Sequence, residues 1–539
     1  MFASGALQKV RKGLLSLKGS PRGLYVIFAL KAIESFVYFN ESLLYTMYLT
    51  DEFGMSDYEA GVSYGVWGSL IVAYSVVLGP VLDWVGIRSM LCLCFSMSVV
   101  GRLGMATTHS RPFLLFLLYG PLAIGHAAGL PVLVVGIKRL TTPACRGFAF
   151  GLFYTFMNVA GLVNGLVFDL FRVHLKHGLQ PGATGPYSVL NDGTRLLLFL
   201  GCLLSAVGLF LAVTFSSTAT RRAGQRSHDC EGQPLYKAEA DGLATQTPDR
   251  HGPGSAYRGA DARFQLQIVG AKARRFLVDM WQMLRCLPVQ KFAAVCLFTV
   301  NLKMIFRHLD ATLPKYQTRA FGCDAHVGLV YSINPFIIIC LVPIVGAVTT
   351  HLNHFDMIHY GSYLTALSPF WMVAFQSEWA AALFVLMLSL GEAIWSPRWY
   401  DYSMSIAPQG KEGVFTAMAA APLFLAKLPT GALSGKLLSE YCPDTGACGK
   451  HGDMVGTPVA GTQSCDGRTL WFVVGLTVMM SPLAMLWGQR WLRPSESDQK
   501  QLARFAVGVE RVNRVEEAQQ ENSPVQYHRL PKDVEMVGS

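Results

Sequence analysis

The chain has 539 residues and a formal net charge of +10, yet 52% of it is hydrophobic and only 15% charged. Soluble domains carry roughly 25% charged residues. With a mean hydropathy of +0.35, a string of soluble domains is excluded and a polytopic membrane protein is expected. The basic excess is no nucleic-acid footprint, because Lys and Arg concentrate in tails and loops such as "QKVRKGLLSLKGSPRG" and "TRRAGQR". Retention of such segments on the cytoplasmic side produces this bias.

In chain order, residues 1–23 form a basic tail without the continuous apolar core of a cleavable signal, so the first span is expected to be its own anchor. About twenty apolar residues cross the hydrocarbon, and that length gives spans near 24–47, 60–83, 89–108, 113–137, 147–172 and 194–216. A polar interval follows, then spans near 290–318, 326–349, 357–376, 379–405, 413–438 and 469–491. Twelve spans in two sets of six place both tails inside, and each must be helical because lipid offers the backbone no partners. The expected organisation is a cytoplasmic tail (1–23), a six-helix bundle (24–216), a cytoplasmic central loop (217–289), a second six-helix bundle (290–493) and a disordered cytoplasmic tail (494–539). Residues 217–260 are too polar to bury a core. "ARFQLQIVGAKARRFLVDMWQMLRCLP" alternates apolar and basic faces, as an amphipathic helix at the inner membrane surface would. In the last tail "YHRL" (Tyr527 to Leu530) matches a tyrosine sorting signal, a pattern short enough to arise by chance. Lys315, Arg319, Lys436 and Lys450 depart from the charge bias by falling on the external side.

The 12 cysteines show no CxxC pair and no zinc spacing, and no metal or cofactor is expected. Cys92, Cys94, Cys202, Cys296 and Cys340 lie in apolar runs and read as packing residues. Cys323, Cys442, Cys448 and Cys465 fall in external loops, where disulfides can form; their spacing leaves the pairing open. An internal repeat joins the two sets of spans. "ESLLYTMYLTDEFGMSDYEAG" at the end of the first span matches "DATLPKYQTRAFGCDAHVG" at the end of the seventh: Glu41 with Asp310, Leu44 with Leu313, and Phe53-Gly54 with Phe321-Gly322 after a one-residue gap. Such similarity marks duplicated transporter folds.

Between the second and third spans, "GPVLDWVGIRSM" carries Gly79, Asp83, Gly86 and Arg88. This pattern resembles the cytoplasmic signature loop of the major facilitator superfamily. The glycines suit a tight turn and close helix approach, while Asp83 and Arg88 are expected to latch the outward-facing state and release during rocking. "FYTFMNVAGL" (Phe153 to Leu162) is similar to the fifth-span signature of the proton-coupled oligopeptide transporters. "LGEAIWSP" (Leu390 to Pro397) followed by "SIAPQGKEG" resembles that family's tenth span and next loop, and "YLTDEFGMSDYEAG" its exit from the first span. The resemblance covers most of both halves and implies an all-α membrane protein of the major facilitator fold, twelve helices in two pseudo-symmetric six-helix bundles. The departures lie in the ionisable residues. The family's first span reads Glu, two residues, Glu-Arg-Phe; here the register reads Lys31, Glu34, Ser35, Phe36. The family's fourth-span lysine falls on Leu130. Of the implied proton-handling residues Glu34 and Glu392 remain, and the resemblance places Glu392 in the substrate and gating region.

Lys31, Glu34, Tyr38 and Glu41 follow spacings that line one face of the first helix. Lys303, Arg307 and Asp310 do the same in the seventh, which the resemblance makes pseudo-equivalent to the first. A charge at the bilayer centre costs about 2.5–3.5 kcal/mol on insertion scales, and a hydrated central cavity with nearby partners offsets most of it. Lys31 can pair with Glu34, and Arg307 with Asp310 or, across the cavity, with Glu41. Three roles are open to these residues: structural pairing, capture of a substrate carboxylate or other anion by Lys31, Lys303 and Arg307, and proton coupling through Glu34, Glu392 or His126. Arg102 and Asp169 read as helix-end residues able to snorkel, and the facing of Lys427 is not fixed. Tyr38, Tyr154, Trp395, Trp399 and Tyr400 are candidate pocket walls, with Asn158 beside them. Gly161/Gly165 and Gly431/Gly435 are spaced for close helix contact.

No phosphate-binding glycine loop, HExxH or nucleophile elbow occurs, so no enzyme is expected, and without a Walker sequence neither is ATP-driven transport. The duplicated halves and the latch favour alternating access over a channel. The sequence therefore points to a monomeric secondary-active transporter, possible partners being a small organic solute (peptide, amino acid or organic anion), protons and the lipid bilayer, in a plasma or endolysosomal/vacuolar membrane. Facilitated diffusion, or a nutrient sensor built on a transporter fold, are the alternatives, and the missing proton-coupling residues fit them equally.

Overall fold

The computed structural model describes residues 20–179, 192–215, 285–349, 352–406, 425–444 and 465–493, with positions 15, 17, 189, 418, 419, 421–423, 497 and 498. The central amphipathic segment, the "YHRL" stretch, Cys448 and Lys450 lie outside these residues.

The described chain is helical. The first half comprises α1 (Arg22–Phe53), α2 (Asp57–Gly79), α3 (Val85–Thr107), α4 (Arg111–Leu140), α5 (Pro143–Asp169) and α6 (Gly193–Thr214). The second comprises α7 (Leu287–Ala311), α8 (Val327–Val348), α9 (His354–Leu367), α10 (Glu378–Ile406), α11 (Lys427–Tyr441) and α12 (Gly467–Leu492). Ten of the described helices are long and apolar enough to cross a membrane, and the protein is a multi-pass membrane protein. The two that fall short have local reasons. Ser368-Pro369 separates α9 from a short continuation, Phe370–Ala374. Only the C-terminal part of the eleventh span is described as continuous helix. Near Pro314 the predicted seventh span breaks into α7 and a short helix, Leu313–Phe321, because proline supplies no amide hydrogen and fits only the first turn of a new helix.

The repeat seen in the sequence has a backbone counterpart. Gly54 closes α1 with φ 60° and Gly322 closes Leu313–Phe321 with φ 107°, conformations that glycine adopts without penalty. Ser56 then starts α2 with a reciprocal cap: its hydroxyl accepts from the Glu59 amide, and the Glu59 carboxylate accepts from the Ser56 amide.

The two halves meet along three seams, α2 against α11, α5 against α8, and α1 against α7. Glycines make the first two possible. A Cβ on Gly431 would stand 2.1 Å from the Gly61 carbonyl oxygen, and one on Gly328 would stand 1.9 Å from that of Gly165. Gly79 lies five turns from Gly61 on the same face of α2, about 27 Å away, and a Cβ there would meet none of the described residues within 4 Å. Gly346 repeats this on α8, five turns from Gly328, again meeting none of the described residues. Among the described residues the halves thus touch at the end opposite the chain termini.

Candidate functional site

The ionisable residues of α1 do not project separately into a cavity; they are wired together. Lys31 Nζ donates to Glu34 Oε2 at 2.9 Å and lies over the Phe153 ring, 5.1 Å from its centre. Glu34 Oε1 is 3.8 Å from His126 Nδ1, and His126 Nε2 is 2.6 Å from Glu41 Oε2. Arg102 Nε lies 2.5 Å from Glu41 Oε1, and its Nη1 donates to Ser205 at 2.9 Å. All five ionisable members are buried. Glu34 and Glu41 sit two turns apart on one helix face, so a single imidazole from α4 can bridge them. Gly129 clears the ground: a Cβ there would crowd Cys94 Sγ at 3.0 Å and touch Glu34 Cγ at 3.6 Å. Arg102 is therefore no snorkelling residue. It is about 1% exposed and neutralises Glu41 from within α3.

The α7 charges form a second group at the junction of the halves. Arg307 pairs with Asp310 on its own helix at 3.0 Å, not with Glu41, which Arg102 occupies. Asp310 Oδ2 also accepts from Ser42 of α1 at 2.8 Å and from the Tyr64 hydroxyl of α2 at 3.0 Å. Arg307 also acts electrostatically on the Tyr38 side chain, so Tyr38, Arg307 and Asp310 come together across the seam. Lys303 lies over Trp395, 4.0 Å from the ring. Glu392 accepts from Asn334 of α8 at 2.8 Å and acts on Lys303 electrostatically. Tyr38, Tyr154, Lys303, Arg307 and Glu392 are half-buried, whereas Asn158 is buried and donates to the Tyr154 carbonyl one turn back.

Two of the aromatic candidates are packing residues rather than walls. Trp399 is buried against Phe292 with its ring nitrogen donating to the Ala419 carbonyl, and Trp395 donates to Thr365, presenting only the ring face to Lys303. The Tyr400 side chain lies outside the described residues. Cys340, expected in packing, is exposed, while Cys94, Cys202 and Cys296 are buried. Cys442 and Cys465 form a disulfide joining the end of α11 to the start of α12, and Cys323 is also disulfide-bonded.

The external charges that broke the sequence bias hold the halves together. Asp57 at the start of α2 accepts from Lys315 Nζ at 2.8 Å and from both Arg319 terminal nitrogens at 2.8 Å; Arg319 also donates to the Cys442 carbonyl. Burial pushes the Lys315 ammonium below its ordinary pKa, and the Asp57 carboxylate opposes that. On the other seam Asp169 accepts from the Gly328 and Leu329 amides at 2.7 Å each. It thus caps α8 from the opposite half, which a snorkelling role would not need. Arg172 donates to the Cys323 and Ala325 carbonyls. Asp57→Asn would leave two buried cations short of a counter-charge. We expect a cysteine replacing the buried Ser434 to react several-fold faster with an externally added, membrane-impermeant maleimide in that variant; unchanged labelling would show that the ion pairs do not hold this end shut.

Of the turn motif, Gly86 is decisive locally. Its φ of 83° with ψ 167° breaks the helix Asp57–Thr107 and is accessible to glycine without strain. Arg88 donates to the Val213 carbonyl at the end of α6, at 2.6 Å, and so is anchored within its own half. The Asp83 side chain lies outside the described residues.

Arg102 and Lys427 are only minor candidates on the sequence, and Asp57 is not among the candidates at all. Lys427 enters from α11 and is about 1% exposed. Its ammonium lies 4.1 Å from the Trp67 ring centre, 5.0 Å from Tyr64 and 5.1 Å from Tyr38. An Arg or Lys inside an apolar run was the available signal; the partner residues, all on other helices, were not.

A family model described as Major Facilitator Superfamily matches residues 27–426. No curated protein sequence matches the chain. Among solved structures, a POT family transporter in complex with 5-aminolevulinic acid is similar at TM-score 0.62 and 16% identity, over 88% of this chain and 97% of that one. A peptide transporter POT in complex with sulfate aligns at TM-score 0.59 and 15% identity, over 88% and 95%. The nucleoside transporter NupG aligns at TM-score 0.58 and 11% identity, over 86% and 99%. At these identities the likeness is one of fold.

Proposed function

Because the chain belongs to the Major Facilitator Superfamily, we propose that it carries a small organic solute across a membrane by alternating access, and that the described conformation is the one open toward the side of the chain termini. The carrying observation is the glycine contrast: Gly61 and Gly328 are pressed against the other half, while Gly79 and Gly346, five turns along the same helices, meet no described residue of it. The basic tail and loops make the open side cytoplasmic. The membrane would be the plasma membrane or an endolysosomal one.

The half-buried Lys303, Arg307 and Glu392 mark where the solute would bind. Two cations and a carboxylate at one depth suit a solute carrying a carboxylate and an amino group, such as an amino acid or short peptide. Intramembrane ionisable residues are functional by default, and the similarly folded POT family transporter in complex with 5-aminolevulinic acid is consistent with the same chemistry. The Glu34–His126–Glu41 bridge supplies a place for a coupled proton. Lys31 and Arg102 already balance the two carboxylates, so a proton on His126 adds one net charge to a buried cluster. Such a site holds or releases a proton according to how nearby charges and solvent change with conformation.

Uptake into liposomes with internal pH recorded tests both parts. We expect Glu392→Gln to reduce solute flux at least tenfold while folded protein remains at normal abundance, and His126→Asn to uncouple flux from acidification. Normal flux in Glu392→Gln, or binding without flux in the wild-type chain, would overturn the transport reading in favour of a sensor.

A further inference from the structure

Lys427 is a buried charge that the scheme above does not use. Its ammonium has no hydrogen-bond partner among the described residues. The rings of Trp67, Tyr64 and Tyr38 surround it at 4.1–5.1 Å, within the range at which an aromatic face attracts a cation. The box is built by the first half alone, Tyr38 from α1 and Tyr64 and Trp67 from α2, while the occupant comes from the second half. Gly68 keeps the channel to it open: a Cβ there would lie 2.2 Å from Lys427 Cδ. Asp310, hydrogen-bonded by the Tyr64 hydroxyl at one wall, and Glu41 add negative potential, which Arg307 opposes.

Lys427 stands one turn from Gly431, the glycine pressed against Gly61. Any motion that parts α2 from α11 at this seam draws the lysine out of the box and leaves three rings facing the newly opened mouth. We propose that the Tyr38–Tyr64–Trp67 box is an ammonium-binding subsite, occupied by the amino group of the solute when the external end is open and by Lys427 when it is closed. Lys427 is then a tethered competitor. As the seam closes it takes the box back and displaces the solute's amine toward the open side. The proposal rests on the transport reading for its cycle, but the box itself binds an ammonium whether or not the protein transports.

The test uses purified full-length protein and n-butylammonium chloride as probe, against sodium chloride at equal ionic strength. In Lys427→Ala the box is empty, and n-butylammonium is expected to raise the melting temperature saturably, by about 2 °C. The wild-type chain, with its own ammonium in place, should show no such rise, and Lys427→Ala combined with Trp67→Leu should lose it. Lys427→Ser carries the same measurement should the alanine chain fail to fold. No rise in either lysine variant, or an equal rise in the wild type or the Trp67→Leu combination, would overturn the proposal. Because no gradient or flux is involved, a chain that fails to transport would still give the binding result.

Discussion

Arg102→Met is expected to destabilise the protein by about 3–5 kcal/mol, the usual cost of removing one partner from a buried ion pair. Total stabilities of folded domains are about 5–15 kcal/mol, so the loss should appear as a large fall in recovered, monodisperse protein and in its melting temperature. The cause is electrostatic. Glu41 is buried, and Arg102 and His126 are its two partners at ion-pair distance. Without the guanidinium, the carboxylate keeps the imidazole alone, which must then carry a proton to balance it. The double variant Glu41→Gln with Arg102→Met removes both charges together and should be more stable than Arg102→Met alone. A double-mutant cycle on melting data gives the coupling energy directly. If the single and double variants melt alike, Arg102 and Glu41 are not energetically joined and the five-residue chain of charges is not a unit.

The second large effect is mechanical. Gly431→Val should abolish transport, by a factor on the order of a hundred or more, the scale on which a misplacement of about 1 Å already acts. Its first side-chain carbon would stand 2.1 Å from the Gly61 carbonyl oxygen, and both partners are helix backbone that cannot step aside. The α2–α11 seam then cannot close at its external end, and the protein should be held open there. A cysteine replacing the buried Ser434, read by an externally added maleimide, would report the shift, and Gly120→Ala, whose added methyl would meet only the Phe116 ring at 3.9 Å, is the control. A Gly431→Val chain that transports normally would remove the seam from the mechanism. In that mechanism the signature glycine Gly79 has a natural use: when the external end opens and the internal end closes, its bare face is the one presented to α11.

Much of this was legible in the residues themselves. Spans follow from the length of apolar runs, because hydrocarbon thickness fixes how many residues a helix needs and lipid forbids unsatisfied backbone. The pairs Lys31–Glu34 and Arg307–Asp310 follow from helical spacing, since residues three apart share a face. The equivalence of α1 and α7 was readable from the repeat, and Gly54 closes α1, and Gly322 the short helix that follows α7, with positive φ for the same reason, the absence of a Cβ. Gly431 and Gly165 could be marked as contact residues from their spacing alone.

What the sequence could not supply is the identity of partners on other helices. Nothing along the chain says that His126 of α4 would lie between Glu34 and Glu41, or that Arg102 would reach the same carboxylate. It is equally silent on Lys427 of α11 inserting among the rings of α1 and α2. Local spacing reports which residues share a face; only packing decides which faces meet. That is why Arg102 reads as a snorkelling residue when it is a buried counter-ion, and why Asp169, which does end α5, gives no sign that it caps the neighbouring half. It is also why Lys315 and Arg319 looked misplaced on the external side when Asp57 balances them. The sequence determined the helices, their number and the faces that carry charge, because those depend on the solvent and on local geometry. The tertiary structure decided how the charges pair and where the halves touch, because those depend on distances between segments that the order of residues does not encode.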